Sequence, residues 1–211
     1  MDLRLGAGVQ TTRGEPVGTL TRVLVDQVGE VEEIVVRLDA GLGVDEVLSD
    51  ASEVRVPTEL VVEATERGVT LNATADELQA YPEYVEERPP RRGERWSPPP
   101  GYTVSDLLGR LALLLGGGAN IPLLQTEYNK PEGEHQISPH APALVGDTRV
   151  GEITRVLYDS ASGRVQALVL RGTNTDAEYL LPAELLEAVA DDAVLLRADA
   201  ERIAQLPRFQ P

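Results

Sequence analysis

The sequence predicts a mainly β protein built from two copies of one small module. The first observation is a repeated stretch, because residues 17–26 read VGTLTRVLVD and residues 150–159 read VGEITRVLYD. The second is that a glycine-containing turn and another apolar run follow each copy, at residues 31–38 and 165–171. Runs rich in β-branched residues and bounded by glycine and aspartate are typical of β-hairpins. Self-similarity of this kind indicates a repeated architecture.

The repeat extends well beyond the hairpin. One constant offset aligns Pro57, in the segment VPTEL, with Pro182, in the segment LPAEL. The same offset aligns residues 75–84 with residues 200–209 at the end of the chain. The agreement in spacing, turn position and terminal pattern therefore predicts two modules of the same fold.

This pattern resembles the PRC-barrel family, named for the photosynthetic reaction centre. The resemblance rests on the motif V-G-x-x-x-x-V-L-x-D, the glycine turn, an apolar strand with Arg37 or Arg171 near its end, and the apolar-Pro-x-Glu-Leu segment. It covers most of the two outer thirds of the chain and implies two small β-barrels in tandem. Relatives include the cytoplasmic domain of the reaction-centre H subunit and the C-terminal domain of a ribosome maturation factor. Family members typically serve as adaptor domains in larger assemblies.

The first module is predicted to span residues 1–84. Its strands are predicted at residues 9–11, 17–25, 31–38, 54–56, 61–64 and 69–71. Val35 and Val36 are adjacent apolar residues, so both faces of their strand should be covered, as in a closed barrel that is also packed on its outside. Pro57 ends the next strand because proline cannot donate a ladder hydrogen bond.

A short helix is predicted to close the first module. Thr74 and Glu77 have the residue types and spacing of a capping box, in which the hydroxyl caps the helix and the carboxylate reaches back to the N-cap. Pro82 ends this helix.

Residues 85–135 are predicted to form a Pro-rich linker and a short helix. The segment RPPRRGERWSPPP is dense enough in proline to favour an extended, semi-rigid spacer. Leucines at helical spacing over residues 106–115 predict a helix, which the glycines at 116–118 end. The second module, residues 136–211, then repeats the first.

The composition narrows the classes of function. The chain of 211 residues has a formal net charge of −16, and Lys130 is its only lysine. Nucleic-acid affinity depends on clustered lysine and arginine, so binding to nucleic acid or to an anionic membrane is disfavoured. The apolar stretch at residues 107–124 is interrupted by glycine, arginine and proline, so we predict no transmembrane segment. Without a secretory signal either, the expected location is the cytoplasm.

Catalytic and metal-binding constellations do not stand out. The chain has no cysteine, and its two histidines, His135 and His140, lie near prolines in a predicted irregular segment. A metal site needs three or four ligands, and a nucleophile needs a base held beside it. The glycines at 116–118 lack the lysine and the strand–loop–helix context of a phosphate-binding loop. We therefore predict no catalytic residue, no cofactor and no metal.

Two pairs of arginines recur at repeat positions. They are Arg22 with Arg155 and Arg37 with Arg171. One interpretation is a shared binding surface. The other, which we favour, is that each arginine binds a carboxylate of its own module, such as Asp26 or Asp159.

The predicted interaction surface lies between the modules. Its members are Leu107, Leu108, Leu111 and Leu114 on the predicted helix, and Arg91, Arg92 and Trp96 in the linker. The leucines either pack within the molecule or, if exposed, mark a protein–protein interface. The basic, aromatic-containing patch either docks an acidic partner, stacks on single-stranded RNA, or is a solvated linker.

We therefore expect a non-enzymatic protein-interaction or scaffold protein whose two barrels offer surfaces to a protein partner or to a second copy. One alternative is a ribosome-associated assembly or maturation accessory factor, which the acidic charge weakens. Another is a soluble relative of the reaction-centre H subunit, which the absence of a membrane anchor weakens. An enzyme ranks last.

Overall fold

The computed structural model describes most of the chain and divides it into two compact units. The described residues are 1–27, 29–39, 52–88, 125–131, 133–173, 177–190, 193–198 and 200–210. The larger unit consists of Met1–Tyr84 and Lys130–Pro211, and the smaller unit consists of Val85–Asn129. Most of the described secondary-structure elements are strands, so the mainly β class that the sequence predicts is confirmed.

The secondary structure follows the repeat. The first part of the larger unit contains β1 (Asp2–Arg4), β2 (Gly8–Thr11), β3 (Pro16–Val25), β4 (Val31–Leu38), β5 (Glu53–Pro57), the 3-10 turn Thr58–Leu60, β6 (Val61–Thr65), β7 (Gly68–Leu71) and helix α1 (Ala75–Gln79). The smaller unit contains β8 (Val85–Arg88) and β9 (Gln125–Tyr128). The second part of the larger unit contains β10 (His135–Ile137), β11 (Pro142–Val145), β12 (Thr148–Tyr158), β13 (Val165–Gly172), β14 (Glu178–Pro182), the 3-10 turn Ala183–Leu185, β15 (Leu186–Ala190), β16 (Ala193–Leu196) and helix α2 (Ala200–Ala204).

The smaller unit is described only at its two ends. There β8 pairs antiparallel with β9, with Val85 opposite Tyr128 and Arg88 opposite Gln125. The proline-rich segment and the predicted helix between these strands lie outside the described residues. Among the described helices, none has the length and apolarity that a membrane crossing requires.

The two parts of the larger unit build sheets with the same strand order. Among the described residues, six strands of one sheet have the order β5-β4-β3-β2-β7-β6, and six strands of the other have the order β14-β13-β12-β11-β16-β15. A seventh strand joins each sheet, β10 beside β3 and β1 beside β12. Among the described pairings along these paths, β2 with β7 and β11 with β16 are the parallel ones, and each joins the strand before the long hairpin to the last hairpin of its sheet. The repeated sequence therefore folds into a repeated topology.

The glycine of the repeated motif lies where two strands approach closely. A Cβ atom on Gly18 would lie 2.0 Å from the carbonyl oxygen of Arg37, and one on Gly151 would lie 2.3 Å from that of Arg171. Any larger residue would push the long hairpin strands apart, since real side chains do not approach a backbone oxygen so closely. The steric requirement is the same in both modules, which explains the glycine of the V-G-x-x-x-x-V-L-x-D motif.

The first strand of each module pairs with the sheet of the other module. Strand β1 adds to β12 of the second sheet, with Leu3 opposite Val156. Reciprocally, β10 adds to β3 of the first sheet, with Ile137 opposite Val23. Leu3 is fully buried and Ile137 is 1% exposed, so each exchanged strand places its central or last apolar side chain in the core. Sequence order alone does not indicate this exchange.

The hairpin turns of the two modules also bind each other. The N–H of Val31 donates to the carbonyl of Gly163 at 2.8 Å, and the N–H of Val165 donates to the carbonyl of Gly29 at 2.9 Å. Glu30 and Arg164 form an isolated antiparallel bridge between these two bonds. The turns thus make the same backbone contacts in both directions, as the exchanged strands do.

The buried residues of both sheets form one continuous apolar cluster. Val35 and Val36 are both fully buried, which confirms the prediction that both faces of β4 are covered. The cluster also takes in Leu78 of helix α1. That helix begins with the predicted capping box, because Thr74 Oγ1 accepts from the N–H of Glu77 at 3.3 Å and the Glu77 carboxylate accepts from the N–H of Thr74 at 2.8 Å.

We predict that Leu3→Ala destabilises the second sheet, although Leu3 lies in the first strand of the first module. Removing a fully buried leucine side chain leaves a cavity and should lower the free energy of unfolding by about 2–5 kcal/mol. Urea unfolding measures the total loss, and hydrogen exchange should show the largest loss of protection in β12. Val62→Ala is the control, since Val62 is 53% exposed and should change stability little. Loss of protection confined to the first sheet would contradict the exchange.

We also predict that Gly18→Ala is far more damaging than Gly8→Ala. The new methyl group of Gly18→Ala would collide with the backbone of β4, and we expect a loss of about 3 kcal/mol or a failure to fold. Nothing lies within 4 Å of the position that a Cβ atom on Gly8 would occupy, so Gly8→Ala should leave the urea midpoint nearly unchanged. Equal midpoints for the two variants would contradict the close approach.

Candidate functional site

The residues of the predicted interaction surface lie outside the described part of the chain. This holds for the leucines Leu107, Leu108, Leu111 and Leu114 and for Arg91, Arg92 and Trp96. The search for a site therefore turns to the larger unit, where the recurring arginines and a set of glutamates are described.

The recurring arginines form ion pairs at equivalent places in the two sheets. In the first sheet Arg22 and Arg37 both bind the buried carboxylate of Glu53, Arg37 at 3.0 Å. The guanidinium of Arg22 also lies over the ring of Tyr84, 5.0 Å from its centroid. These contacts favour a structural role for the arginines, since each contributes to holding β3, β4 and β5 together.

The second sheet repeats this network and adds two ion pairs, one of them between Arg171 and Glu152 at 3.4 Å. Arg155 and Arg171 bind Glu178 at 3.5 and 3.3 Å, and the Arg155 guanidinium lies 5.0 Å from the ring centroid of Phe209. Asp2 of the exchanged strand β1 also binds Arg155, at 3.0 Å.

The carboxylates that bind the four arginines were wrongly identified from the sequence. Asp26 accepts a hydrogen bond from the N–H of Glu30, and Asp159 accepts one from the N–H of Ala161, each at 2.7 Å. Both aspartates thus bind the backbone of their own turn. Glu53 and Glu178 bind the arginines instead, because Glu53 lies directly opposite Arg37 and Glu178 directly opposite Arg171 in the strand pairing.

A cavity with a volume of about 710 Å³ is lined by both parts of the larger unit. The first part contributes the start of β4 and the 3-10 turn after β5. The second part contributes Pro131, Tyr158 and the hairpin turn at residues 160–163. Five glutamates line it: Glu30, Glu32, Glu33, Glu59 and Glu134. We call this the acidic cavity, and its described lining includes no lysine, arginine or histidine.

Glu134 is the most unusual of these glutamates. The residue is only 5% exposed, and its Oε2 atom is buried without a hydrogen-bond partner. Burial, as the largest cause, together with the nearby charges of Glu33 and Glu32, raises the pKa of Glu134 to about 7.

Arg55 partly offsets the crowding of these carboxylates. Its guanidinium lies 3.3 Å from Glu33, and its charge acts to lower the pKa of both Glu33 and Glu134. Burial nevertheless prevails at Glu33, whose pKa is raised. The acidic cavity therefore contains more negative charge than its nearby arginine neutralises.

A second cavity occupies the equivalent place in the other module. It has a volume of about 430 Å³ and is lined by the first module's hairpin turn, the start of β13 and the start of β15. Its lining includes Arg164 and His135 as well as Asp26 and Glu187, so its charges are mixed. The repeat places Gln166 and Ala167 where the acidic cavity has Glu32 and Glu33, and it places Leu180 where Arg55 stands. The fold itself therefore does not require the glutamates.

Sequence reasoning missed the acidic cavity because its residues are scattered along the chain. Glu134 lies within a segment predicted to be irregular, and it reaches β4 only because β10 joins the first sheet. One signal was present: Glu32 and Glu33 interrupt an otherwise apolar strand, and the repeated strand has Gln166 and Ala167 there. A comparison of the two modules for differences, and not only for similarities, would have found it.

Known proteins give no further guide to this cavity. No protein-family model matches the chain, and no curated protein matches it either. In the described part of the chain, no three histidine or acidic side chains are grouped so as to hold a metal ion. His140, for example, lies in an exposed turn with its Nδ1 atom 3.1 Å from Glu152. The acidic cavity therefore presents a set of carboxylates, of which Glu33 and Glu134 each have a buried oxygen that accepts no hydrogen bond.

We predict that Glu134→Gln stabilises the protein at alkaline pH. The pKa of Glu134 is near 4.5 in the unfolded chain and about 7 in the folded one, so the folded state binds more protons between these values. Stability therefore falls as the pH rises through this range, and the neutral amide removes that fall. We expect a gain of about 1 kcal/mol at pH 8, since water in the cavity screens part of the repulsion, and little gain at pH 5.

Urea unfolding of both proteins between pH 5 and pH 8 measures this difference. Glu184→Gln is the matched control, because this substitution removes the same charge from an exposed residue of the 3-10 turn Ala183–Leu185. Parallel pH profiles for the wild type and Glu134→Gln would contradict the raised pKa.

Proposed function

We propose that the protein is a non-enzymatic interaction protein, built from two PRC-barrel modules in tandem, that acts in the cytoplasm by docking a protein partner. The repeated strand order supports the modular part of this proposal, because the same topology occurs in both sheets. The reciprocal strand exchange supports the assignment of the modules to one functional body, because neither sheet is complete without the other module.

The observation that carries the proposal is the contrast between the two cavities. They lie at equivalent places, yet one is lined by five glutamates and the other by mixed charges. A duplicated framework whose pockets have diverged in charge suits a protein that presents two different docking sites. Concave sites with a few convergent polar groups are where proteins commonly bind their ligands.

Affinity purification from the source cell tests this function. We expect the tagged wild-type protein to retain at least one partner at near-stoichiometric amounts, as identified by mass spectrometry. The double variant Glu32→Gln/Glu33→Gln in the acidic cavity, or Glu187→Gln in the second cavity, should release a partner that Val62→Ala retains. The interaction should then be reproduced with the two purified proteins.

Two outcomes would contradict the proposal. One is the absence of any partner that depends on either cavity, together with a sedimentation coefficient that stays that of a monomer at all concentrations. The other is turnover of a substrate by the purified protein. Recovery of ribosomal proteins that depend on a cavity would support the interaction function and direct it to ribosome assembly.

A further inference from the structure

We infer that the acidic cavity binds an arginine side chain presented by the partner, an inference that rests on the proposed interaction function and names the chemistry of its docking site.

The negative charge of the cavity favours the binding of a cation. Five glutamates line one space of about 710 Å³, and the cationic group described beside them, Arg55, is engaged by Glu33 at 3.3 Å. Carboxylates gathered in a partly enclosed space repel each other more strongly than on an open surface, because water screens them less. A cation that enters the cavity relieves this repulsion.

The buried oxygen of Glu134 is a second and independent observation. The Glu134 residue is only 5% exposed, and its Oε2 atom accepts no hydrogen bond. A buried carboxylate oxygen without a hydrogen bond is costly to the folded protein. A donor brought by a ligand would satisfy it, and the hydrogen bond would be charge-assisted.

The repeat shows that the fold does not need these acids. The equivalent strand has Gln166 and Ala167 in place of Glu32 and Glu33, and it pairs with its neighbouring strand in the equivalent register. Apart from the ion pair of Glu33 with Arg55, the acids therefore add a repulsion to the first module that the fold does not require. Groups that destabilise a protein in this way are typical of binding sites.

Arginine fits the cavity better than a metal ion or a compact ammonium group. A guanidinium is a planar fork with five donors, so it can bind two neighbouring carboxylates at once. Glu32 and Glu134 are such neighbours, because Glu32 lies close enough to raise the pKa of Glu134. The described residues provide no group of three ligands arranged for a metal ion. The cavity is partly open to solvent, and its volume is large enough for a long side chain.

Arginine binding should release a proton. The groups that face Glu134 are Glu32 and Glu33 of β4 and Arg55 of β5, with Glu30 and Glu59 on the cavity wall. Tyr158, on the opposite wall, stays neutral because burial raises its pKa to about 12. A guanidinium favours the ionised form of Glu134, so affinity should rise as the pH increases from 6 to 8.

A peptide titration followed by NMR tests the inference on the full-length protein. The probe is an extended glycine–serine peptide with one central arginine, and the matched peptides carry citrulline or lysine instead. We expect the arginine peptide to shift the backbone amide signals of Glu134 and Ser162, and to bind about tenfold more tightly than the citrulline peptide. The lysine peptide should bind with intermediate affinity, because it lacks the planar fork.

Variants and pH locate the binding. Glu134→Gln should weaken the arginine peptide about tenfold and remove its pH dependence, whereas Glu184→Gln, which removes the same charge elsewhere, should change neither. Calorimetry in two buffers should detect proton release with the wild type only. Equal weakening by both variants would overturn the inference, because it would reveal a response to net charge alone.

Other ligands provide the remaining outcomes. Tighter binding of spermidine or of Mg²⁺ than of the arginine peptide, with the same dependence on Glu134, would overturn the assignment to a protein side chain. A cellular partner that depends on the second cavity but not on Glu134 would overturn this inference and leave the proposed function standing. The loss of all partners would instead remove the proposed function on which the inference rests.

Discussion

The larger unit depends on the exchange of one short strand in each direction. A three-residue strand such as β1 cannot exist alone, because too few hydrogen bonds oppose the loss of chain entropy. Here it is held by the ladder with β12, by the ion pair of Asp2 with Arg155, and by the burial of Leu3. Because β10 is held by the first sheet in return, each sheet contains a part of the other module and a single apolar cluster runs through both.

The exchange also creates the acidic cavity. β10 brings Glu134 against β4, and the crossing hairpin turns bring residues 160–163 to the opposite wall. The cavity therefore exists only in the assembled pair of modules, and its negative charge comes from differences between them. The two modules thus share a strand order but differ in the charged residues that line their cavities.

Much of the fold could be predicted because it follows from local patterns. The β-branched runs and the glycine turn predict the β3–β4 hairpin, the capping box predicts helix α1, and the adjacent valines predict a strand that is covered on both faces. The strand exchange could not be predicted, since β1 is too short for a periodic pattern and two similar sheets offer it nearly equivalent partners. The position of Glu134 beside β4 could not be predicted either, because it depends on the same exchange. The ion pairs of the recurring arginines were predicted as a class, but their partners depend on strand order and not on distance along the chain.

The reciprocal contacts between the hairpin turns have a consequence for assembly. Each turn gives one N–H and accepts one in the same way, which is the arrangement that two identical chains form around a two-fold axis. In a homodimer of that kind, complete sheets would exist only above a certain protein concentration. Joining the two copies in a single polypeptide makes the second encounter intramolecular, so dilution no longer separates them. Because each module is then encoded separately, a mutation in one module does not change the other.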